Sequence, residues 1–183
     1  MSQRWDAIII GAGAAGLLAA TRAAEAGASV LLLEKNARAG VKILMSGGTR
    51  CNLTHDAESR DIIDAFQKQG NFLRAALAHL TPRDLICLFK DEGVPTKIEE
   101  TGKVFPVSDK ASDVLDALLR MLYRSGATLA LNEAALDIAQ VESGFQIRTA
   151  QRTLETKRLL LTTGGASYPE WIGEHLRFLR ESE

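Results

Sequence analysis

The chain has 183 residues, of which 46% are hydrophobic and 25% charged, so it is long enough to bury one sizeable core. Its 22 lysines and arginines balance 23 aspartates and glutamates, and a net charge of -1 without a basic stripe argues against a nucleic-acid partner. No apolar run reaches the ~18 residues of a membrane span and no secretory signal opens the chain, so we expect a cytoplasmic protein.

A strand, a glycine-rich turn and a helix come first. Residues 6–10 form an apolar strand, and residues 11–16, Gly-Ala-Gly-Ala-Ala-Gly, follow it directly. An alanine- and leucine-rich helix over 14–26 comes next, and the strand over 30–33 leads into Glu34. Such glycines allow a tight turn and let the backbone approach a pyrophosphate, while the acid accepts hydrogen bonds from ribose hydroxyls. These features predict a dinucleotide-binding cradle, and the alternative is a plain βαβ unit with an incidental glycine turn.

The rest of the chain alternates between helical and strand-like patterns. In chain order we predict a loop over 35–55 and helices over 61–66, 71–80 and 82–92. Thr81 is the expected N-cap of the third helix, with Pro82 at the first helical position and an acid, Asp84, two residues later. We then predict a hairpin over 94–105 that Pro106 ends, a helix that Ser108 caps and that runs through Leu122, and strands over 128–131, 135–141, 145–149 and 158–162. This order is typical of a three-layer α/β domain, in which a parallel sheet lies between helices and a small antiparallel meander. Gly164 and Gly165 follow the last strand, where such sheets bind ligands, although a plain glycine turn explains them equally well.

Three stretches carry a resemblance to a known family. They are residues 10–17 around the glycine-rich turn, residues 40–54, Gly-Val-Lys-Ile-Leu-Met-Ser-Gly-Gly-Thr-Arg-Cys-Asn-Leu-Thr, and residues 162–169, Thr-Thr-Gly-Gly-Ala-Ser-Tyr-Pro. The middle stretch is the most specific, because a generic dinucleotide-binding domain has no such Ser-Gly-Gly and Arg-Cys-Asn run. Over residues 4–169 the chain resembles bacterial FAD-dependent flavoproteins of the YhiN/BaiN type, which include aminoacetone-oxidase-like proteins and the flavoprotein of bile-acid dehydroxylation. Many members have glycine where Thr49 stands.

This resemblance implies a Rossmann-like domain that binds FAD, a small-molecule substrate, and NAD(P)H as a candidate electron donor. By the family pattern, residues 11–16 hold the pyrophosphate, Glu34 holds the adenosine ribose, Ala135 offers its backbone to adenine, and residues 46–52 line the path to the flavin ring. The cofactor-binding residues that it implies are Gly11, Ala12, Gly13, Ala14, Ala15, Gly16, Glu34, Lys35, Lys42, Ser46, Gly47, Gly48, Thr49, Arg50, Cys51, Asn52, Ala135, Thr163, Gly164 and Gly165.

Individual side chains in the middle stretch suggest specific roles. Gly47 and Gly48 can direct successive N–H groups at phosphate oxygens as a nest. Arg50 can donate two hydrogen bonds to a phosphate or a substrate carboxylate, and the alternative is a structural ion pair. Cys51 is expected to pack near the cofactor, and Cys87 lies among apolar residues and is expected in the core. No metal site and no catalytic side chain are predicted, which suits an enzyme whose cofactor carries the chemistry.

The last residues depart from the family. Family members continue beyond the equivalent of Pro169 into a substrate domain and then return to the FAD domain, whereas residues 170–183 look like a short amphipathic helix. We therefore expect the N-terminal part of an FAD-binding domain over 1–169 and a divergent tail over 170–183, in a chain truncated relative to the family. Two functions are considered: an FAD-dependent oxidoreductase, and a non-catalytic or relic FAD-binding fragment. We also expect the isolated chain to bind FAD weakly or not at all, because family members bury the flavin ring with segments beyond the equivalent of Pro169. Surface left uncovered by the missing half would favour self-association.

Overall fold

The computed structural model describes residues 4–165, and the helix predicted over 170–183 lies outside them. The strands are β1 (Arg4–Ile10), β2 (Val30–Leu33), β3 (Thr54–His55), β4 (Thr96–Ile98), β5 (Lys103–Pro106), β6 (Thr128–Ala130), β7 (Asp137–Val141), β8 (Gly144–Arg148) and β9 (Thr153–Leu161). The helices are α1 (Ala14–Glu25), α2 (Val41–Met45), α3 (Ser59–Ala65), α4 (Arg74–His79), α5 (Pro82–Asp91) and α6 (Ala111–Ser125), with a 3-10 helix over Gln67–Leu73. Among these described helices, none combines the length and apolar character that crossing a membrane requires.

The chain divides into two compact units. One combines the residues up to Val41 with those from Leu118 onward, and the other holds Lys42–Ala117. In sequence, the second unit is thus an insertion within the first. The boundary predicted between residues 169 and 170 lies outside the described residues.

The first unit is built on a six-stranded sheet with the order β6-β2-β1-β9-β8-β7. The four strands β6, β2, β1 and β9 run parallel, while β8 and β7 are antiparallel. The consecutive residues Ile8, Ile9 and Ile10 are all at most 6% exposed, as expected for a central parallel strand that is covered on both faces. The predicted α/β fold with a mainly parallel sheet is confirmed.

The meander joins the parallel sheet through the long strand β9. Its first residues pair with β8 in antiparallel register, and its later residues pair with β1 in parallel register up to Ile10 opposite Leu161. Ile147 of β8 and Leu154 of β9 pack in one core cluster with Ile8 and Leu31 of the parallel strands. The sequence analysis predicted a strand over residues 158–162 alone, whereas β9 begins at Thr153, where buried and charged residues alternate.

The second unit contains a small antiparallel sheet with the order β3-β5-β4. Between β3 and β4 in the chain, α5 begins with the capping arrangement that the sequence predicted. The hydroxyl of Thr81 accepts from the backbone N–H of Asp84 over 3.1 Å, and the Asp84 carboxylate accepts from the N–H of Thr81 over 3.0 Å. Pro82 occupies the first helical position, where its missing N–H loses nothing.

Three predicted details are wrong. Cys87 is exposed, because α5 buries the face that carries Pro82 and Phe89, and Cys87 lies on another side of the helix. The helix predicted to be capped by Ser108 begins only at Ala111, whose N–H donates to the carbonyl of Thr49 over 2.9 Å. The loop predicted over 35–55 contains the short elements α2 and β3.

Candidate cofactor-binding site

Two glycines of the turn between β1 and α1 are required by packing. Gly11 has a φ of +103°, and a Cβ built there would lie 2.7 Å from the carbonyl oxygen of Thr162. A Cβ on Gly16 would overlap the carbonyl oxygen of Gly11 and lie 2.7 Å from the hydroxyl of Thr162. That hydroxyl donates to the carbonyls of Ile10 over 2.9 Å and Gly11 over 2.8 Å. The turn is therefore pressed against the residue that follows β9.

The middle glycine of the turn, Gly13, has space around it. A Cβ on Gly13 would meet nothing within 4 Å, and its φ of -81° suits any residue. Gly13 is the N-cap of α1 and no side chain caps this helix end, while Ala14 and Ala15 are exposed. The described first turn of α1 also carries no acidic side chain. Free N–H groups and the positive end of the helix dipole thus face open space, as binding of a pyrophosphate requires.

Glu34 is buried at the end of β2 and bonds to the turn. Its Oε2 accepts from the backbone N–H of Ala12 over 2.9 Å. Its Oε1 accepts from the backbone N–H of Asn36 over 3.0 Å and from the Asn36 side-chain amide over 2.6 Å. A carboxylate has about four acceptor positions, so these three bonds leave room for about one ribose hydroxyl. Asn36 was not predicted as a site residue, although an asparagine two residues after an acid is a recognisable local pair.

The predicted adenine contact lies in the loop between β6 and β7. This loop, residues 131–136, is bound to the end of β2 by two backbone bonds: Glu133 N–H to Glu34 O over 2.9 Å, and Asn132 N–H to Asn36 O over 3.0 Å. Ala135 is 9% exposed and packs in the core cluster. Within residues 4–165, neither backbone group of Ala135 makes a hydrogen bond, so both are available to a ligand.

An ion pair between the buried Glu133 and the exposed Arg152 supports this loop and was not predicted. Arg152 donates from Nε to Oε1 of Glu133 and from Nη2 to Oε2, each over 2.9 Å. The hydroxyl of Thr149 also donates to Oε1 over 3.1 Å. The bonds from Arg152 lower the pKa of the Glu133 carboxyl against the opposing effect of burial. Nothing in the local sequence pattern indicates this pair, because the partners are 19 positions apart.

In the second unit, the Ser-Gly-Gly-Thr segment forms a left-handed turn. Gly47, Gly48 and Thr49 have φ angles of +56°, +66° and +71°. A Cβ on Gly47 would lie 2.8 Å from the ring of Phe105, whereas one on Gly48 would meet nothing within 4 Å. Thr49 is β-branched, so its left-handed backbone is strained. A phosphate nest at Gly47 and Gly48 stays a prediction.

Arg50 is held by carboxylates of its own unit. Its Nη1 lies 2.5 Å from Oε1 of Glu99 and 3.6 Å from Oδ1 of Asp109, and its guanidinium stacks 4.0 Å from the centroid of Phe105. Asp109 also pairs with Lys97, and this contact lowers the pKa of Asp109. The structure thus contains the ion pair that the sequence left as the alternative for Arg50, and this pairing competes with any ligand anion.

The remaining predicted site residues differ in how far they are exposed. Cys51 is buried, and burial raises the pKa of its thiol, which keeps it protonated and unreactive at neutral pH. Thr163, Gly164 and Gly165 are exposed directly after β9, and a Cβ on Gly11 would lie 3.1 Å from Cα of Thr163, so the two glycine-containing stretches of the first unit meet. Lys35, Lys42, Ser46 and Asn52 are at least partly exposed.

Within residues 4–165, no group of His, Cys, Asp and Glu side chains could hold a metal ion.

Known proteins are similar to this chain in sequence. The model of the HI0933-like protein Rossmann domain matches residues 5–176. The chain is 36% identical over 168 residues to a ribosomal RNA dihydrouridine synthase of Escherichia coli strain K12, covering 91% of this chain and 41% of that protein. It is 33% identical over 162 residues to a 3-dehydro-bile acid delta(4,6)-reductase of Clostridium scindens, covering 86% of this chain and 38% of that protein. The chain therefore spans about two fifths of the length of these relatives.

A solved structure agrees in fold. The 3-ketosteroid-delta4-(5alpha)-dehydrogenase of Rhodococcus jostii RHA1 superposes with a TM-score of 0.62 at 17% identity, covering 93% of this chain and 50% of that one. Together with the match over residues 5–176, this confirms the resemblance found in the sequence. The chain belongs to the HI0933-like protein Rossmann domain family.

Proposed function

We propose that this chain is the FAD-binding part of a flavoprotein oxidoreductase that adds or removes hydrogen across a C=C bond conjugated with a carbonyl group. One observation carries the cofactor assignment. Gly13 faces open space at the uncapped N-terminus of α1, whereas packed neighbours leave no space for a side chain at Gly11 and Gly16. A glycine that packing does not require at a helix N-terminus is what close approach of a pyrophosphate needs.

The residues present fit the adenosine end of FAD. The N–H groups after Gly13 would hold the pyrophosphate, the remaining acceptor position of Glu34 would hold the ribose, and the backbone of Ala135 would bind adenine. The carboxylate of Glu34 repels a 2'-phosphate, which argues against NADP in the same place. When bound, the flavin supplies hydride transfer, and the protein supplies orientation and exclusion of water.

The substrate class comes from the two curated relatives. The names of these two enzymes describe a dihydrouridine product and a bile acid with 3-oxo and delta(4,6) groups. Uridine and a 3-oxo-4,6-diene share a C=C bond conjugated with a carbonyl, whose β-carbon accepts hydride. We therefore propose this electronic feature, with NADH or NADPH as the electron donor, for the whole protein of which this chain covers about two fifths. The two substrate forms to test are a uridine within RNA and a small-molecule enone.

Titration of the purified chain with FAD tests the cofactor assignment. Gly13→Val places a side chain in the space proposed for the pyrophosphate and should abolish binding without unfolding the chain. Ala26→Val adds the same side chain at the exposed opposite end of α1 and should bind like the wild type. Equal FAD affinity in Gly13→Val and wild type would refute the cradle.

Reduction of the bound flavin separates the two functions considered for the chain. Loss of visible flavin absorbance on anaerobic addition of NADH or NADPH supports an oxidoreductase. Stable FAD binding without reduction supports a binding module that lacks its own catalytic activity. Reoxidation by an RNA that contains uridine or by a steroidal dienone then identifies the substrate form.

A further inference from the structure

We propose that the ion pair between the buried Glu133 and the exposed Arg152 is a positioning element that fixes the loop over residues 131–136 for recognition of adenine. The inference rests on the proposed function, because it concerns the adenosine end of FAD. Neither side chain is assigned a contact with the cofactor. Both act through the backbone of Ala135, which lies two residues beyond Glu133.

The pair has the geometry of a specific anchor. Both Glu133 oxygens accept from the Arg152 guanidinium over 2.9 Å, and the Glu133 side chain is 8% exposed. A two-bond fork between guanidinium and carboxylate fixes direction as well as distance. A buried carboxylate is tolerated only with such a partner, so the pair holds Glu133 in one place.

The loop is also fixed from two other sides. Backbone N–H groups of Asn132 and Glu133 donate to carbonyls next to the proposed ribose site, at Asn36 and Glu34. The side-chain amide of Gln151, adjacent to Arg152, donates to the carbonyl of Asn132 over 2.9 Å. The loop thus connects the end of β2 to the turn between β8 and β9. Glu133 is the loop's ionisable side chain, and it is directed to this turn and not offered to a ligand.

Loss of this ion pair should affect how the backbone of Ala135 recognises a base. An N–H and a C=O distinguish adenine from hypoxanthine only when both are held in place, because the two bases present opposite donors and acceptors at the same edge. If the fork between Glu133 and Arg152 is lost, the loop keeps its two backbone bonds near the end of β2 and the Gln151 bond to Asn132, but Glu133 loses its two-bond anchor to the β8–β9 turn. Discrimination between the bases should then fall.

Calorimetric titration with ADP and IDP tests this inference on the full chain. We expect the wild type to bind ADP about tenfold more tightly than IDP, which corresponds to one well-placed hydrogen bond. Arg152→Met should bring the ratio of the two dissociation constants close to one. Arg152→Lys keeps the charge without the fork and should give an intermediate ratio, and it carries the test if Arg152→Met fails to fold. Arg148→Met removes an exposed arginine 3.8 Å from Asp137 in the same meander and serves as the matched control.

The ratio separates positioning from simple stabilisation. A purely structural role would lower the folded fraction and weaken both nucleotides equally, so an unchanged ratio in both Arg152 variants would overturn the inference while leaving the proposed function intact. A wild type that binds FAD and ADP but does not distinguish ADP from IDP would also overturn it. A wild type that binds neither FAD nor ADP would refute the proposed function itself.

Discussion

The backbone N–H of Ala12 donates to the carboxylate of Glu34, with 2.9 Å between the nitrogen and Oε2. This bond connects the middle of the glycine turn to the end of the neighbouring strand. The acid proposed for the ribose therefore also shapes the turn that is proposed for the pyrophosphate. Substitution of Glu34 acts on both at once.

We predict that Glu34→Ala lowers FAD affinity by about 1–3 kcal/mol and also destabilises the chain. Loss of the carboxylate leaves the Ala12 N–H and the Asn36 amide without their acceptor. Calorimetry measures the affinity, and urea denaturation measures the free energy of unfolding. Glu25→Ala, at an exposed site on α1, is the control. An unchanged dissociation constant would show that Glu34 does not contact the cofactor.

Gly16→Ala should destabilise the chain by about 1–3 kcal/mol. In an ordinary helix the same change stabilises by about 1 kcal/mol, because glycine has the lower helix propensity. Here the added Cβ would overlap the Gly11 carbonyl and lie 2.7 Å from the Thr162 hydroxyl, so the expected sign is reversed. The denaturation midpoint provides the measurement, with Ala15→Gly as the propensity control on the exposed side of the same turn. A stabilised Gly16→Ala variant would contradict the packing described for this helix.

Thr49→Gly should stabilise the chain by about 0.5–1 kcal/mol. Relief of the left-handed backbone at φ +71° is favourable by about 1–2 kcal/mol, and the greater freedom of glycine in the unfolded chain offsets part of it. Thr128→Gly, at an exposed strand position, should be destabilising and serves as control. Thermal unfolding of both variants decides the matter, since loss of stability in Thr49→Gly would show that the backbone there is not strained.

The stability contributed by Glu133 should depend on pH. Arg152 lowers the folded-state pKa of Glu133 below the ordinary value of a glutamate, so the contribution of Glu133 to stability is present above that ordinary value and is lost as the pH falls through the folded pKa. In Arg152→Met, a buried carboxyl without its partner has a raised pKa, and the contribution changes sign. The difference in unfolding free energy between wild type and variant should therefore be largest near pH ~7 and shrink on acidification. A difference independent of pH would exclude the ion pair.

Local signals predicted the first half of the cradle well. The apolar strand, the glycine turn and the helix over Ala14–Glu25 follow from residues close together in sequence, and so does the capping of α5 by Thr81 and Asp84. Each of these features is decided by contacts within a few residues, which pattern and propensity describe.

Features that depend on distant partners were not predictable in the same way. Arg50 finds Glu99 at a separation of 49 positions, and Glu133 finds Arg152 at 19, so no periodicity reports them. Cys87 has apolar neighbours in sequence, but which face of α5 is buried depends on tertiary packing.

The hydroxyl of Thr162 bonds to the carbonyl of Gly11 across 151 positions, and β9 pairs with β1 along its length. Contacts at such separation form late, because closing so long a loop is entropically unfavourable. The first residues of the chain must therefore wait for almost the last described strand before the glycine turn acquires its final geometry. In a nascent chain on the ribosome, β1 could pair with β2 early, but its other edge would stay unpaired until β9 has been synthesised. Nucleotide binding would therefore be detected only after β9 has paired with β1, and an early hydrophobic collapse would not produce it.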